Sequence, residues 1–220
     1  MGDLLKNYDV WGAIWTTIQL ALLSAIGATI VGTIVAIMRV SPVGILRGLG
    51  TTYVNTFRNT PLTVLLVMSV LGFSFILGMS ISDDFARNAF WWAVVMLSLY
   101  HAAFVCEALR SGINTVPAGQ AEAARSIGLS FGQSLSEVLL PQSFRGAIAP
   151  LVSTYIALIK NTTVAAVIGV SESAGLLSVI TENEGGSLLL FFMFAMIFVI
   201  LTLPIGVVGT NLSRRLAVKR

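Results

Sequence analysis

Five long stretches of this chain carry almost no charge. Residues 10–38, 59–82, 88–106 and 185–213 contain no Asp, Glu, Lys or Arg, and residues 146–171 contain one, Lys160. A bilayer core about 30 Å thick is crossed by roughly 20 apolar residues of helix. Each stretch therefore predicts one membrane-spanning helix. The second should begin a few residues before its gap, and the third should run on through Glu107. The stretches are continuously apolar rather than alternating, which disfavours a closed β-barrel. The expected fold is all-α: one polytopic transmembrane domain over residues 1–220 with about five helices.

Composition excludes the alternative of one soluble domain. Hydrophobic residues make up 56% and charged residues 10%, against about 25% charged in soluble domains. The single Cys106 allows no disulfide framework. No basic region precedes a short apolar core at the start, so the first apolar run reads as a retained anchor.

Lys and Arg set the expected orientation. Arg39, Arg47, Arg58, Arg110, Arg125, Arg145, Arg214, Arg215, Lys219 and Arg220 fall on one side, ten of 13 basic residues. The other side holds Lys6 and Arg87 against Asp3, Asp9, Asp83, Asp84, Glu172, Glu182 and Glu184. This predicts an external N-terminus and a cytoplasmic C-terminus. Within the first span, Ser24, Ala28, Gly32 and Ala36 form a small-residue row suited to close helix approach, either within the chain or between subunits.

The connection over 111–144 is long for a turn between spans. It reads as two short helices. Pro117 suits the first turn of one, Gly128 a left-handed stop, Ser130 with Gln133 a capping box for the second, and Pro141 its end. Such a pair could lie on the membrane surface or dock a cytoplasmic partner.

Glu122-Ala123-Ala124, then Gly128, then Leu140-Pro141, resembles the EAA loop of ATP-binding-cassette importer permeases: EAA, three residues, G, nine residues, I, one residue, LP. The Ile is missing: its strict position holds Val138, with Ser136 two residues before it. YVNTFRNTPL (53–62), CEALRSGI (106–113), GQAEAA (119–124), LLPQ (139–142) and LIKNTT (158–163) are similar to the polar amino-acid subfamily. MRVSP (38–42), LRSGINTV (109–116) and IKNTTVAAVIGVSE (159–172) look closest to actinobacterial glutamate permeases.

The resemblance implies a type I importer permease fold and import of a polar amino acid, glutamate first. It implies two ATPase subunits, a second permease subunit and an external solute-binding protein as partners in a bacterial cell membrane, with no nucleic acid. The chain has no G-x-x-x-x-G-K-[ST] loop. It is therefore expected to be a transport subunit, not an enzyme, with no cofactor of its own. ATP and magnesium would be held by the ATPase. Gly119, Glu122, Ala123, Ala124, Gly128 and Pro141 would form the coupling element. Glu122 could meet a basic residue of the ATPase or complement its own helix dipole.

Polar groups at membrane depth are the candidate solute path: Lys160, Asn161, Thr162, Thr163, His101, Glu107 and Arg58. A buried charge costs about 2.5–3.5 kcal/mol on insertion scales, so these should face inward. Lys160 reads as a cation for a solute carboxylate, as a structural partner of Glu107, or as a side chain reaching an interface. Glu107 and Arg58 read more readily as a structural pair. His101 replaces the small polar residue of the family and reads as a hydrogen-bonded core residue or a selectivity group. Asn161, Thr162 and Thr163 could line a cavity or bond across helices. The acidic connection 169–186, with Glu172 and Gly175, suggests a short external helix acting as a gate or a seat for the binding protein. A lone secondary transporter or channel is the competing class, but it has no use for the 111–144 segment, and no inverted repeat is evident.

Overall fold

The computed structural model describes residues 7–216. Asp3, Lys6, Lys219 and Arg220 of the charge argument lie outside them. The described residues are helical, with no strand.

Helix α1 (Val10–Val40) opens on Asp9, whose carboxylate accepts from the Gly12 N–H at 2.8 Å. It stops where Pro42 forces Ser41 into extended backbone. Helix α2 (Gly44–Asn59) follows, then α3 (Leu62–Val67), which continues as a π-helical stretch over Met68–Ile76. Helix α4 (Phe85–Ile113) is capped by Asp84 and is the most enclosed of the long helices. Short helices α5 (Ala118–Ser126) and α6 (Phe131–Gln133) lead into a π turn (Ser134–Leu139) and α7 (Leu140–Asn161). α7 tightens into a 3-10 helix over Thr162–Ile168. Helices α8 (Ser173–Glu184) and α9 (Leu188–Leu216) complete the described chain.

Four helical stretches are long and apolar enough to cross a membrane: Val10–Val40, Phe85–Ile113, Phe131–Ile168 and Leu188–Leu216. The pair α2 and α3, bent by 100° at the break between them, passes the same test only when taken together, which makes up to five spans among the described residues. The second span thus departs from expectation. It does not start as one helix a few residues before its charge gap. Pro61 holds Thr60 at φ −99°, ψ 130° and interrupts the helix there.

The fourth span also differs. Pro141 does not end a helix, because the chain stays helical from Phe131 to Ile168. The preceding π turn widens the backbone where the proline ring would collide with the carbonyl four residues back. The segment standing clear of the long helices is accordingly shorter than 111–144, covering 114–130.

Between helices in lipid, packing contact rather than water exclusion supplies the attraction. Ser24, Ala28, Gly32 and Ala36 are all buried, so this row packs within the chain. A Cβ at Gly32 would stand 2.7 Å from Val105 Cβ on α4. α4 and α7 meet as closely: a Cβ at Gly112 would stand 2.2 Å from the Ser143 carbonyl oxygen.

Candidate functional site

The sequence-derived site residues fall into three places. Those of the coupling segment stand on the Arg-rich face. Helix α5 ends in a Schellman arrangement: Leu129 N–H donates to Ala124 O at 3.1 Å and Gly128 N–H to Arg125 O at 3.0 Å. Gly128 has φ +86°, which a side chain would strain. Pro117 precedes the helix as its N-cap. The capping box of α6 is complete: Gln133 N–H donates to Ser130 Oγ, and Ser130 N–H to Gln133 Oε1.

Only Ala124 of α5 is buried. Gly119, Glu122, Ala123, Ser126 and Ile127 are exposed, at helical spacing i, i+3, i+4, i+7, i+8. Ile127 leaves 77% of its surface bare. Glu122 has no ion-pair partner among the described residues. Ala118, Gln120 and Arg125 are exposed too, so α5 is bare on every side but that of Ala121 and Ala124, and the stripe through Glu122 and Ala123 ends in the apolar Ile127. Pro141 lies outside this stripe, at the start of α7.

The second place lies at mid-depth. His101, two residues past the middle of α4, is 2% exposed. Its Nε2 accepts from Asn161 Nδ2 at 3.1 Å, while Nδ1 has no partner among the described residues. Asn161 ends the α-helical part of α7. α3, which starts after the Thr60–Pro61 break, packs on the 3-10 stretch that starts at Thr162. Two interrupted helices thus adjoin inside the span, an arrangement in which solute sites are built.

Lys160 is exposed and borders a cavity of about 400 Å³ with Thr163, Leu177, Phe194 and Phe198. It forms no ion pair among the described residues. Thr162 is buried, its hydroxyl donating to Ile159 O at 2.8 Å, and Thr163 donates to Lys160 O at 2.8 Å.

The third place is Glu107. The structure gives it partners other than Lys160. Arg39 donates to Oε1, and Arg110 donates twice to Oε2, at 2.8 and 3.1 Å. Arg58 stands 3.9 Å from Oε1 and lies over the Phe104 ring at 5.6 Å. The pairing of Glu107 with Arg58 was foreseen; Arg39 and Arg110 were missed. Arg110 follows Glu107 by three residues on one helix, a spacing that was readable.

On the opposite, acidic face, Glu172 is fully buried. It caps α8, accepting from Ala174 N–H at 2.9 Å and Gly175 N–H at 2.8 Å. Ser173 N–H donates to Thr17 Oγ1 at 3.0 Å, tying α8 to α1. Burial pushes the Glu172 carboxyl above the ordinary glutamate range, against the pull of those N–H groups. The short helix foreseen here exists, but the Glu172 side chain cannot itself meet an external protein.

Comparison with known proteins bears on the chain as a whole. Residues 10–218 match the family described as binding-protein-dependent transport system inner membrane component. The chain is 51% identical to the glutamate transport system permease protein GluC of Corynebacterium glutamicum over 94% of both chains. It is 50% identical to the protein of that name from Corynebacterium efficiens, again over 94% of both. A solved amino-acid ABC transporter with histidines aligns with a TM-score of 0.83, 25% identity and 97% coverage of both chains.

Proposed function

The chain belongs to the family of binding-protein-dependent transport system inner membrane components, and from that premise we propose that it is the glutamate-translocating permease of an ATP-driven importer. It is a multi-pass membrane transport subunit rather than an enzyme. The GluC relatives support glutamate as the solute.

The exposed stripe of α5 carries the mechanistic reading. Gly119 and Ala123 present little side-chain bulk, so a partner surface can approach the backbone closely there, while Glu122 offers it a carboxylate and Ile127 an apolar contact. Ala124 fixes the helix to the π turn beneath it. An ATPase dimer that holds ATP and magnesium docks here, on the cytoplasmic side, and its closure is passed through the Phe131–Ile168 helix as a rigid-body motion. The N-terminus is external. A second permease subunit completes the pore, and an external binding protein delivers solute. At mid-depth, Lys160 and Thr163 offer a cation and a hydroxyl to an amino-acid carboxylate.

Co-purification tests the coupling. Wild-type chain expressed with its neighbouring subunits is expected to retain an ATPase. Ala123→Arg, which places bulk and charge on the stripe, is expected to release it while leaving the melting temperature unchanged. An ATPase retained by Ala123→Arg with full ATP-driven uptake would overturn the docking face.

A further inference from the structure

A second cavity, of about 620 Å³, opens on the Arg-rich face and serves none of the roles above. Arg39, Arg47, Arg110, Gly44, Gly48, Thr51 and Thr52 line it. No acidic residue is among them. Glu107 meets Arg39 and Arg110 from behind, engaging one nitrogen of the first and two of the second. A guanidinium carries five N–H donors, so both keep donors to spare. Arg47 has no side-chain partner among the described residues. One carboxylate is thus shared among Arg39, Arg58 and Arg110, and the cavity keeps a surplus of positive charge.

Its depth in the membrane identifies what the charge can meet. Arg39 lies in the last turn of α1, the first charge after the uncharged stretch 10–38, and Arg110 lies in the last turn of α4. Both therefore mark the edge of the hydrocarbon. Helix α2 is amphipathic around this edge. Gly44, Arg47, Gly48 and Thr51 share the face lining the cavity. Ile45 and Leu49 form the adjoining face, 76% and 57% exposed. Phosphate-binding groups and a bare apolar strip stand side by side at headgroup level.

We propose that this cavity binds the phosphate headgroup of an anionic phospholipid, with the acyl chains lying along Ile45 and Leu49. The guanidiniums of Arg39, Arg47 and Arg110 hold the phosphate oxygens, and the Thr52 hydroxyl is placed to donate to the headgroup. The bound lipid offsets the charge surplus where α1, α2 and α4 meet. The site does not depend on which solute is carried.

The test counts lipids retained by the purified full chain in native mass spectrometry. It is titrated with phosphatidylglycerol, with phosphatidylcholine, and with inorganic phosphate or glycerol 3-phosphate as soluble competitors. One phosphatidylglycerol is expected to bind more tightly than phosphatidylcholine, and more weakly as salt rises. Arg47→Gln is expected to weaken phosphatidylglycerol about five-fold, the contribution of one interfacial arginine, and to leave phosphatidylcholine unchanged. Arg47→Lys should keep most of the binding. Ile45→Ser with Leu49→Ser should weaken both lipids. Equal binding of the two lipids, or no effect of Arg47→Gln, would overturn the site. Inorganic phosphate binding as tightly as the lipid would make it a soluble-anion site and overturn the lipid assignment. So would loss of the lipid when the chain is bound to its ATPase, since the face would then be a protein contact.

Discussion

Glu107 holds three arginines from three helices, Arg39 of α1, Arg58 of α2 and Arg110 of α4. Removing its charge leaves three cations at the membrane edge with no acid between them. Glu107→Gln is expected to destabilise the fold by about 1–3 kcal/mol, the usual loss when a charged hydrogen-bond partner is removed, seen as a lower melting temperature in detergent. Two glycines should separate by cause. Gly112→Ala drives a Cβ into the Ser143 carbonyl and should abolish folded protein in the membrane fraction. Gly128→Ala has open space but φ +86°, and should cost about 1–2 kcal/mol in the loop alone, leaving the membrane fraction normal. Glu172 supplies a pH dependence. Its folded value is raised, so its contribution is fully present below the ordinary glutamate value and is lost as pH rises through the raised one. Proteolysis of 173–184 should therefore quicken as pH rises through that window, and Glu172→Ala, which removes the cap, should be cleaved fastest.

Among elements, charge-free stretches located α1 and α9 to within three residues, because a charge is costly in hydrocarbon whatever the backbone does. The reading of α4 through Glu107 stopped six residues short of its end at Ile113. The same reasoning could not find the break in the second span. Asn59, Thr60 and Pro61 are uncharged, so the gap 59–82 runs straight through a 100° bend. Only Pro61 betrayed it, through the backbone it imposes on Thr60. The π turn before Pro141 has no composition of its own, and the proline therefore read as a helix stop. Loop chemistry was more legible. Gly128 and the Ser130–Gln133 box act through their own backbone and need no distant partner. The two sides of α5 give a contrast to measure: Ala124→Arg, buried against the π turn, should lower the melting temperature, whereas Ala123→Arg should not.

At the scale of the whole molecule, the helices leave a large apolar surface. α9 buries little of itself, and the α1 ridge of Trp11, Trp15, Leu22, Ile26, Ile30 and Ile34 is exposed. In lipid such surface is no liability. The candidate solute path was the least legible part. Its residues were recognisable as polar groups at depth. Their grouping depends on which helices adjoin: His101 meets Asn161, Glu107 gathers arginines, and Lys160 faces α8 and α9 instead of Glu107. Apart from Arg110, which follows Glu107 by three residues on α4, no spacing along the chain encodes those choices.

Uptake of labelled glutamate tests the account most directly. The chain is reconstituted into vesicles with its ATPase, its second permease and its binding protein. Accumulation inside the vesicles is expected with ATP, and none without ATP or without the ATPase. Glutamate moved by this chain alone, or ATP-driven uptake of arginine with none of glutamate, would contradict it.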